Sequence, residues 1–324
     1  MSISVQNQFR IVQDGDDPRK GRINLGLCCI NNTLRKDGIF CSRTMIQRNY
    51  TPEKAQTLAL NNIDDLIPVL NWNNDHNIFS YRMSSNMFPH FTNPSVDPYT
   101  LSFAKEKLEY TGKIMDLYGH RISMHPGQYN QIGAKSSEVL EKTYNDLKMH
   151  ADILDTLGLD DNAIVNIHGG GVYGDKEGTK RRWIEQFDDL PSNVKRRLTI
   201  ENCEKCYSTR DCIEIAEETG IPVVFDTHHY DCYSILHPNE TQESPEDLIP
   251  EIIDTWKGRK LLFHISEQKE GARVGAHSDF IKSIPEYLLA IPLEYDKDIW
   301  IDVEAKAKEA AIMSLHKKYK HLFF

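Results

Sequence analysis

The chain has 324 residues, 40% of them hydrophobic and 27% charged, the balance of a folded water-soluble protein, and no apolar run nears the roughly 18 residues a membrane span needs. Its formal charge of −10, with a pI near 5.7, argues at face value against a polyanionic partner; the objection weakens if carboxylates are neutralised by bound cations. Seven cysteines, an odd number with Cys28 and Cys29 adjacent, read as reduced thiols and not as a secreted disulfide framework.

Residues 1–22 carry neither the apolar core of a signal peptide nor the acid-poor composition of a transit peptide, so an intracellular location is expected. They read as a lead segment ahead of one domain spanning 23–324. From residue 23 onward, short apolar runs rich in β-branched or aromatic residues alternate with longer amphipathic segments. The strand candidates are 23–29, 79–85, 121–125, 163–169, 198–203, 222–229, 260–267 and 298–305. Between them lie helical segments: Thr51 is placed to cap a helix with Pro52 at its first position, running to about Asn71. Three further helices stop at Gly119, Gly158 and Gly220, each just before the next strand, where a left-handed residue is expected.

Strict alternation of strand and helix calls for parallel strands joined by right-handed crossovers, and eight such units predict an α/β fold, a single (β/α)8 TIM barrel. A dinucleotide-binding sheet is disfavoured, because no Gly-x-Gly-x-x-Gly follows the first strand.

Polar residues cluster at one end of these strands. His125 ends the third, His168 the fourth, Glu201 the fifth, Asp226 and His229 the sixth, His264 the seventh and Glu304 the eighth. His277 reaches the same rim from the loop after the seventh. In a barrel, the C-terminal strand ends form the catalytic mouth, so these residues converge. Packed without compensation they would bury charge at a cost of several kcal/mol per ion by rough estimate, and divalent metals remove that cost. Histidine with carboxylate and no thiolate suits zinc, manganese or iron better than calcium or magnesium, and Glu201 or Asp226 is placed to bridge two ions. Cys203-x-x-Cys206 has metal or redox spacing but no second pair, and reads as structural. Gly169-Gly170-Gly171 reads as a tight backbone turn and not a phosphate cradle.

The strings RISMHPGQY (121–129), NIHGG (166–170), TIEN (199–202), VVFDTHH (223–229), FHIS (263–266), GAH (275–277) and VEAKAKE (303–309), in this order, resemble the UV damage endonucleases over roughly residues 23–310. The apurinic endonucleases of the endonuclease IV type are more distant relatives of that family. The resemblance implies a DNA repair phosphodiesterase with two to three divalent ions, manganese or alternatively zinc, that nicks damaged double-stranded DNA 5′ to cyclobutane pyrimidine dimers, 6-4 photoproducts or abasic sites. Carried over by motif, His125, His168 and Glu201 hold one metal; Glu201, Asp226, His264 and Glu304 a second; His229 and His277 a third. Glu201, His264 and Glu304 form the catalytic core. Pro126-Gly127 should project Gln128 and Tyr129 from the mouth as a lesion probe. Lys180, Arg181 and Arg182 after the fourth strand, and Lys195-Arg196-Arg197 before the fifth, are candidate phosphate contacts. The expected partner set is DNA alone, bound by a monomer, with no membrane.

Two positions depart from the family's pattern: Leu262 stands where a lysine supports the metal site, and Leu27 where an aromatic residue is expected at the mouth. Two alternatives to the nuclease remain at this point. One is a metal-dependent sugar isomerase or epimerase, which also places histidine and carboxylate at barrel strand ends; the other is a damage sensor that binds DNA without cutting.

Overall fold

A computed structural model describes residues 17–324. Eight strands close a parallel barrel in sequence order: β1 Ile23–Cys28, β2 Ser80–Met83, β3 Arg121–Met124, β4 Ile164–His168, β5 Leu198–Glu201, β6 Val223–Asp226, β7 Leu261–Ile265 and β8 Ile299–Val303. β1 pairs with both β2 and β8, which closes the ring and leaves no sheet edge. Among the described residues, no helix is long and apolar enough to cross a membrane. Of the lead segment, residues 1–16 lie outside the described residues. Its last turn packs on the barrel: the Gly21 N–H donates to the Leu322 carbonyl, and the Arg22 guanidinium holds Asp298 at 2.8 Å.

The helix signals act as the sequence implies. Thr51 Oγ1 accepts the Lys54 N–H at the start of Pro52–Asp64, and Gly119, Gly158 and Gly220 all take positive φ, from 68° to 76°. The segment after Pro52 is two helices and not one. It breaks at Asp65, whose carboxylate accepts the Phe40 N–H, and resumes as Leu66–Asp75. All seven cysteines are unpaired thiols; the Cys203 sulfur accepts the N–H groups of Cys206 and Tyr207, both at 3.3 Å, which makes that pair part of a turn. The glycine run is a close approach: a Cβ at Gly169 would stand 2.6 Å from the Tyr207 ring.

Residues alternate along each strand between the barrel interior and the helix layer. A Cβ on Gly26 would collide with the Asp302 and Ser80 side chains, so position 26 faces inward. Leu27 therefore faces outward and is fully buried in the helix-packed core. This corrects its expected place at the mouth. Leu262 is also fully buried, one pair below His264 on the same strand face.

Every strand is shorter than the sequence reading, and three of the differences move site residues. His125 and Glu304 lie one residue past their strands. β6 ends at Asp226, and the following residues Thr227–Leu236 form a helix. His229 thus belongs to a helical first turn, not to strand six. The cause is local: the Asp226 carboxylate accepts the His229 N–H at 2.8 Å and caps the helix directly at the strand end.

Candidate metal centre

Glu201 closes β5 at the centre of the mouth with no exposed surface. Four imidazoles surround its two oxygens. His125 Nε2 lies 3.1 Å and His264 Nδ1 3.2 Å from Oε2, while His229 Nδ1 lies 3.1 Å and His168 Nε2 3.8 Å from Oε1. Asn166, inward on β4, donates to Oε2 and is itself held by the Thr199 hydroxyl at 2.8 Å. On the far side His264 Nδ1 is 3.3 Å from Glu304 Oε1, and the partly buried Arg82 guanidinium pairs with the same carboxylate.

The ligand atoms fall into three overlapping groups, each within 4.8 Å: His125, His168 and Glu201; Glu201, Asp226 and His229; Asp226, His264 and Glu304. Glu201 and Asp226 each belong to two groups, the arrangement of bridging carboxylates. His277 joins none of the three. It stands at the rim with Nδ1 3.7 Å from Glu304 Oε2, and its ring is closer to His228 than to His229, at 5.6 against 6.4 Å between centroids.

The electrostatics of the cluster favour cations. Burial alone would raise the Glu201 carboxyl, but the surrounding imidazoles outweigh it and hold the group well below the usual carboxylate range. Burial pushes His264 down, yet Glu201 and Glu304 hold it up at about 9. His229 is likewise raised well above its ordinary value by Asp226 and Glu201 against the effect of burial. Glu201 Oε1, Asp226 Oδ2 and His264 Nδ1 are buried without a hydrogen-bond partner. Orphaned lone pairs on hard oxygen and borderline nitrogen donors are the chemistry that a divalent transition ion satisfies, so the residues fit such an ion.

Beside this centre the 125–130 turn projects as its sequence suggests. The Ser85 hydroxyl anchors the His125 carbonyl at 2.6 Å, and Asn130 Nδ2 ties the turn to Asp146 at 2.8 Å. Gln128 and Tyr129 are exposed, Tyr129 by 63%. The tyrosine ring lies over Gly127, where a Cβ would come within 2.5 Å of it. A cleft of about 270 Å³ adjoins the ring, lined in part by Phe88, Phe91, Asn93 and Asp146.

Five of the six residues in the two basic clusters hold partners within the protein. Lys180 is buried and spanned by Glu177, Asp211 and Glu214. Arg182 donates to the Gly133 and Gly178 carbonyls and the Thr179 hydroxyl, so both are structural; Arg181 alone of the three is exposed. Lys195-Arg196-Arg197 precedes β5, at the opposite pole from the mouth. Arg197 there is fully buried against Asp155 and three carbonyls.

The family model described as UV-endonuclease UvdE matches residues 23–322. The chain belongs to that family. A UV-damage endonuclease of Schizosaccharomyces pombe is 35% identical over 94% of this chain, which spans about half (52%) of the yeast protein. A UV DNA damage endonuclease of Bacillus cereus is 30% identical over 91% of this chain and 92% of its own. The solved structure SacUVDE superposes with a TM-score of 0.82 at 31% identity, covering 93% of this chain and 99% of that one. Endonuclease IV from Thermus thermophilus (TM-score 0.55, 15% identity, 92% and 98% covered) shares the fold alone. So does a sugar epimerase from E. coli at 0.52 and 9% identity, covering 85% of this chain and 98% of that one, which is why the barrel by itself did not separate the readings; the UvdE match does.

Two residues that hold the cluster's carboxylates, Arg82 and Asn166, were not singled out from the sequence. The available signal was period-2 alternation. Ser80 and Arg82 are the polar members of a strand whose other residues, Tyr81 and Met83, are apolar and buried.

Proposed function

We propose that the protein is a DNA repair endonuclease that hydrolyses the phosphodiester backbone 5′ to UV photoproducts in duplex DNA, using the mouth cluster as a divalent metal centre. Cyclobutane dimers are the primary substrate class, with 6-4 photoproducts and abasic sites as further ones. The observation that carries the reading is the coincidence, at one barrel mouth, of the buried histidine–carboxylate cluster and the exposed Gln128-Tyr129 turn, in a chain of the UV-endonuclease family.

His125, His168 and Glu201 would hold one ion, Asp226, His264 and Glu304 a second, and His229 with the bridging carboxylates a third, with manganese the preferred metal and zinc the alternative. His277 is positioned to meet a ligand from the rim. Bound ions would supply Lewis acidity, lowering the pKa of a nearby water toward neutrality and offsetting phosphate charge. The chain's own part is to hold these donors rigidly: Asn166 fixes Glu201, Asn202 receives the Asp226 N–H at 2.9 Å, and Arg82 pins Glu304. Tyr129 and Gln128 enter the duplex at a lesion, where opening the stack costs less than at intact DNA. Lys269, Arg273 and Lys306, on the loops after β7 and β8, are exposed and carry no ion pair among the described residues, so they replace Lys180 and Arg182 as phosphate contacts, beside Arg181. Residues 23–324 act as one unit, monomeric and intracellular.

Relaxation of UV-irradiated supercoiled plasmid with and without manganese tests the proposal. Metal-dependent nicking of irradiated but not intact plasmid is expected. Retained lesion binding without nicking would leave a sensor, and turnover of a ketose without DNA binding would return the epimerase reading.

A further inference from the structure

One layer below the metal centre lies a carboxylate that the chemistry above leaves unused. Asp302 is fully buried in the barrel interior, with Oδ1 accepting the Ser80 hydroxyl at 2.8 Å and Oδ2 the Ser123 hydroxyl at 3.2 Å. Burying a carboxylate costs several kcal/mol by rough estimate, and two neutral hydroxyls, with the charge of the buried Arg121 guanidinium nearby, recover part of that. The barrel has made room for it as well. A Cβ at Gly26 would stand 2.2 Å from Asp302 Oδ1, so a side chain on β1 and the carboxylate on β8 exclude one another. The Gly26 φ is not in the left-handed region, so this glycine serves space and not backbone conformation.

His264 explains the expense. Its ring stands edge-on between two levels of the barrel, with Nδ1 in the cluster, 3.2 Å from Glu201 Oε2 and 3.3 Å from Glu304 Oε1, and Nε2 pointing down, 3.8 Å from Asp302 Oδ2. Both nitrogens are fully buried and neither has a hydrogen-bond partner among the described residues. A histidine ligates through an unprotonated nitrogen, so ligation at Nδ1 requires the proton on Nε2, and the neighbouring charged acceptor for that proton is Asp302.

We propose that Asp302 is a positioning residue of the metal centre, acting through His264: it attracts the Nε2–H as its acceptor, fixes the ring's tautomer and orientation, and so presents Nδ1 to the ion, with Gly26 as the gap that admits it. Resting as this does on the metal-centre reading, it has a test in which the two can fail separately.

Manganese is titrated calorimetrically into the wild type and into Asp302→Asn, Asp302→Ala and Gly26→Ala, each also loaded with cobalt(II) for its visible spectrum and melted in the metal-free state. If the wild type binds no metal, the metal-centre reading fails and this inference falls with it. If the wild type binds, Asp302→Ala should weaken one site by roughly 10–100-fold and change the cobalt bands. Asp302→Asn, which keeps an acceptor but loses the charge, should fall between, and Gly26→Ala should reproduce the alanine variant by displacing the carboxylate. Wild-type affinity and spectrum in Asp302→Ala would overturn the proposal. So would a lowered melting temperature with an unchanged cobalt spectrum, since that is the mark of a purely structural carboxylate.

Discussion

Replacing Glu201 by glutamine removes one charge and almost no volume from the centre of the site. Four imidazole nitrogens lie 3.1 to 3.8 Å from its oxygens, and the carboxylate has no exposed surface, so solvent cannot screen the change. Breaking a buried charge pair by removing one partner costs about 3–5 kcal/mol. At about 1.4 kcal/mol per decade this amounts to a manganese affinity about two to four orders of magnitude weaker. The fold should survive, because the amide still accepts from Asn166 and the freed imidazoles can become neutral. Calorimetric titration with manganese, nicking of irradiated plasmid at micromolar metal and a far-ultraviolet spectrum measure the three quantities together. Near-normal nicking with near-normal metal affinity in Glu201→Gln would refute the assignment of Glu201 as the shared ligand.

Tyr129→Ala and Gln128→Ala should lose ~1–3 kcal/mol of activity, the worth of a stacking contact, on duplex carrying a pyrimidine dimer, and much less on a dimer opposite a bubble; equal losses on both would show that the pair serves chemistry or folding instead. Gly127→Ala drives a methyl into the Tyr129 ring at 2.5 Å, so it should mimic the loss on closed duplex while leaving the melting temperature nearly unchanged, and full duplex activity would show that the ring's seat is immaterial. Lys180→Met should destabilise the protein by about 1–3 kcal/mol without weakening DNA affinity, whereas Arg273→Ala should do the reverse, and salt-dependent binding measured beside thermal melting distinguishes them. In metal-free protein His264 is held at about 9 against an ordinary 6.5, so its contribution to stability is complete below pH 6.5 and is lost as pH rises through 9. Urea midpoints of chelated protein should therefore fall over that window, by on the order of 3 kcal/mol in stability, and a flat profile would contradict the coupling of His264 to Glu201 and Glu304.

The barrel and the ligand set were legible for the same reason. In a strand buried on both faces, a lone His or Glu at the C-terminal end of an apolar run stands out, and eight such runs in alternation with helices fix where the ends meet. What the sequence obscured was partnership in space. Lys180-Arg181-Arg182 has the same letters whether it grips phosphate or closes a helix–helix contact, and only the approach of Asp211 and Glu214 from the helix Thr209–Thr219 decides it. His229 was misplaced because Asp226 both ends the strand and caps the next helix, so the apolar period stops without a loop to mark the change. Leu27 was misread by one step of a period of two, enough to send a side chain to the opposite face. Asp302 was not legible because its partners, Ser80, Ser123 and His264, come from three other strands and leave no mark in its local sequence.

The acidic balance of the chain, at first an argument against nucleic acid, changes meaning once charges are assigned to places. Much of the positive charge is spent internally: Arg197 on Asp155, Lys180 on Asp211 and Glu214, Arg210 on Glu243 and Glu251, Arg43 on Asp65. The mouth itself concentrates Glu201, Asp226 and Glu304, and in the metal-free protein the raised His229 and His264 and the Arg82 guanidinium offset these carboxylates. Divalent ions would add positive charge to that balance, and with it the field that a phosphate meets on approach. On the proposed function, binding would depend on the loaded centre, a few exposed cations on the β7 and β8 loops, and the insertion of Tyr129. Each of those three would act where the duplex can be opened, so the net charge that argued against DNA binding would work instead against binding intact DNA.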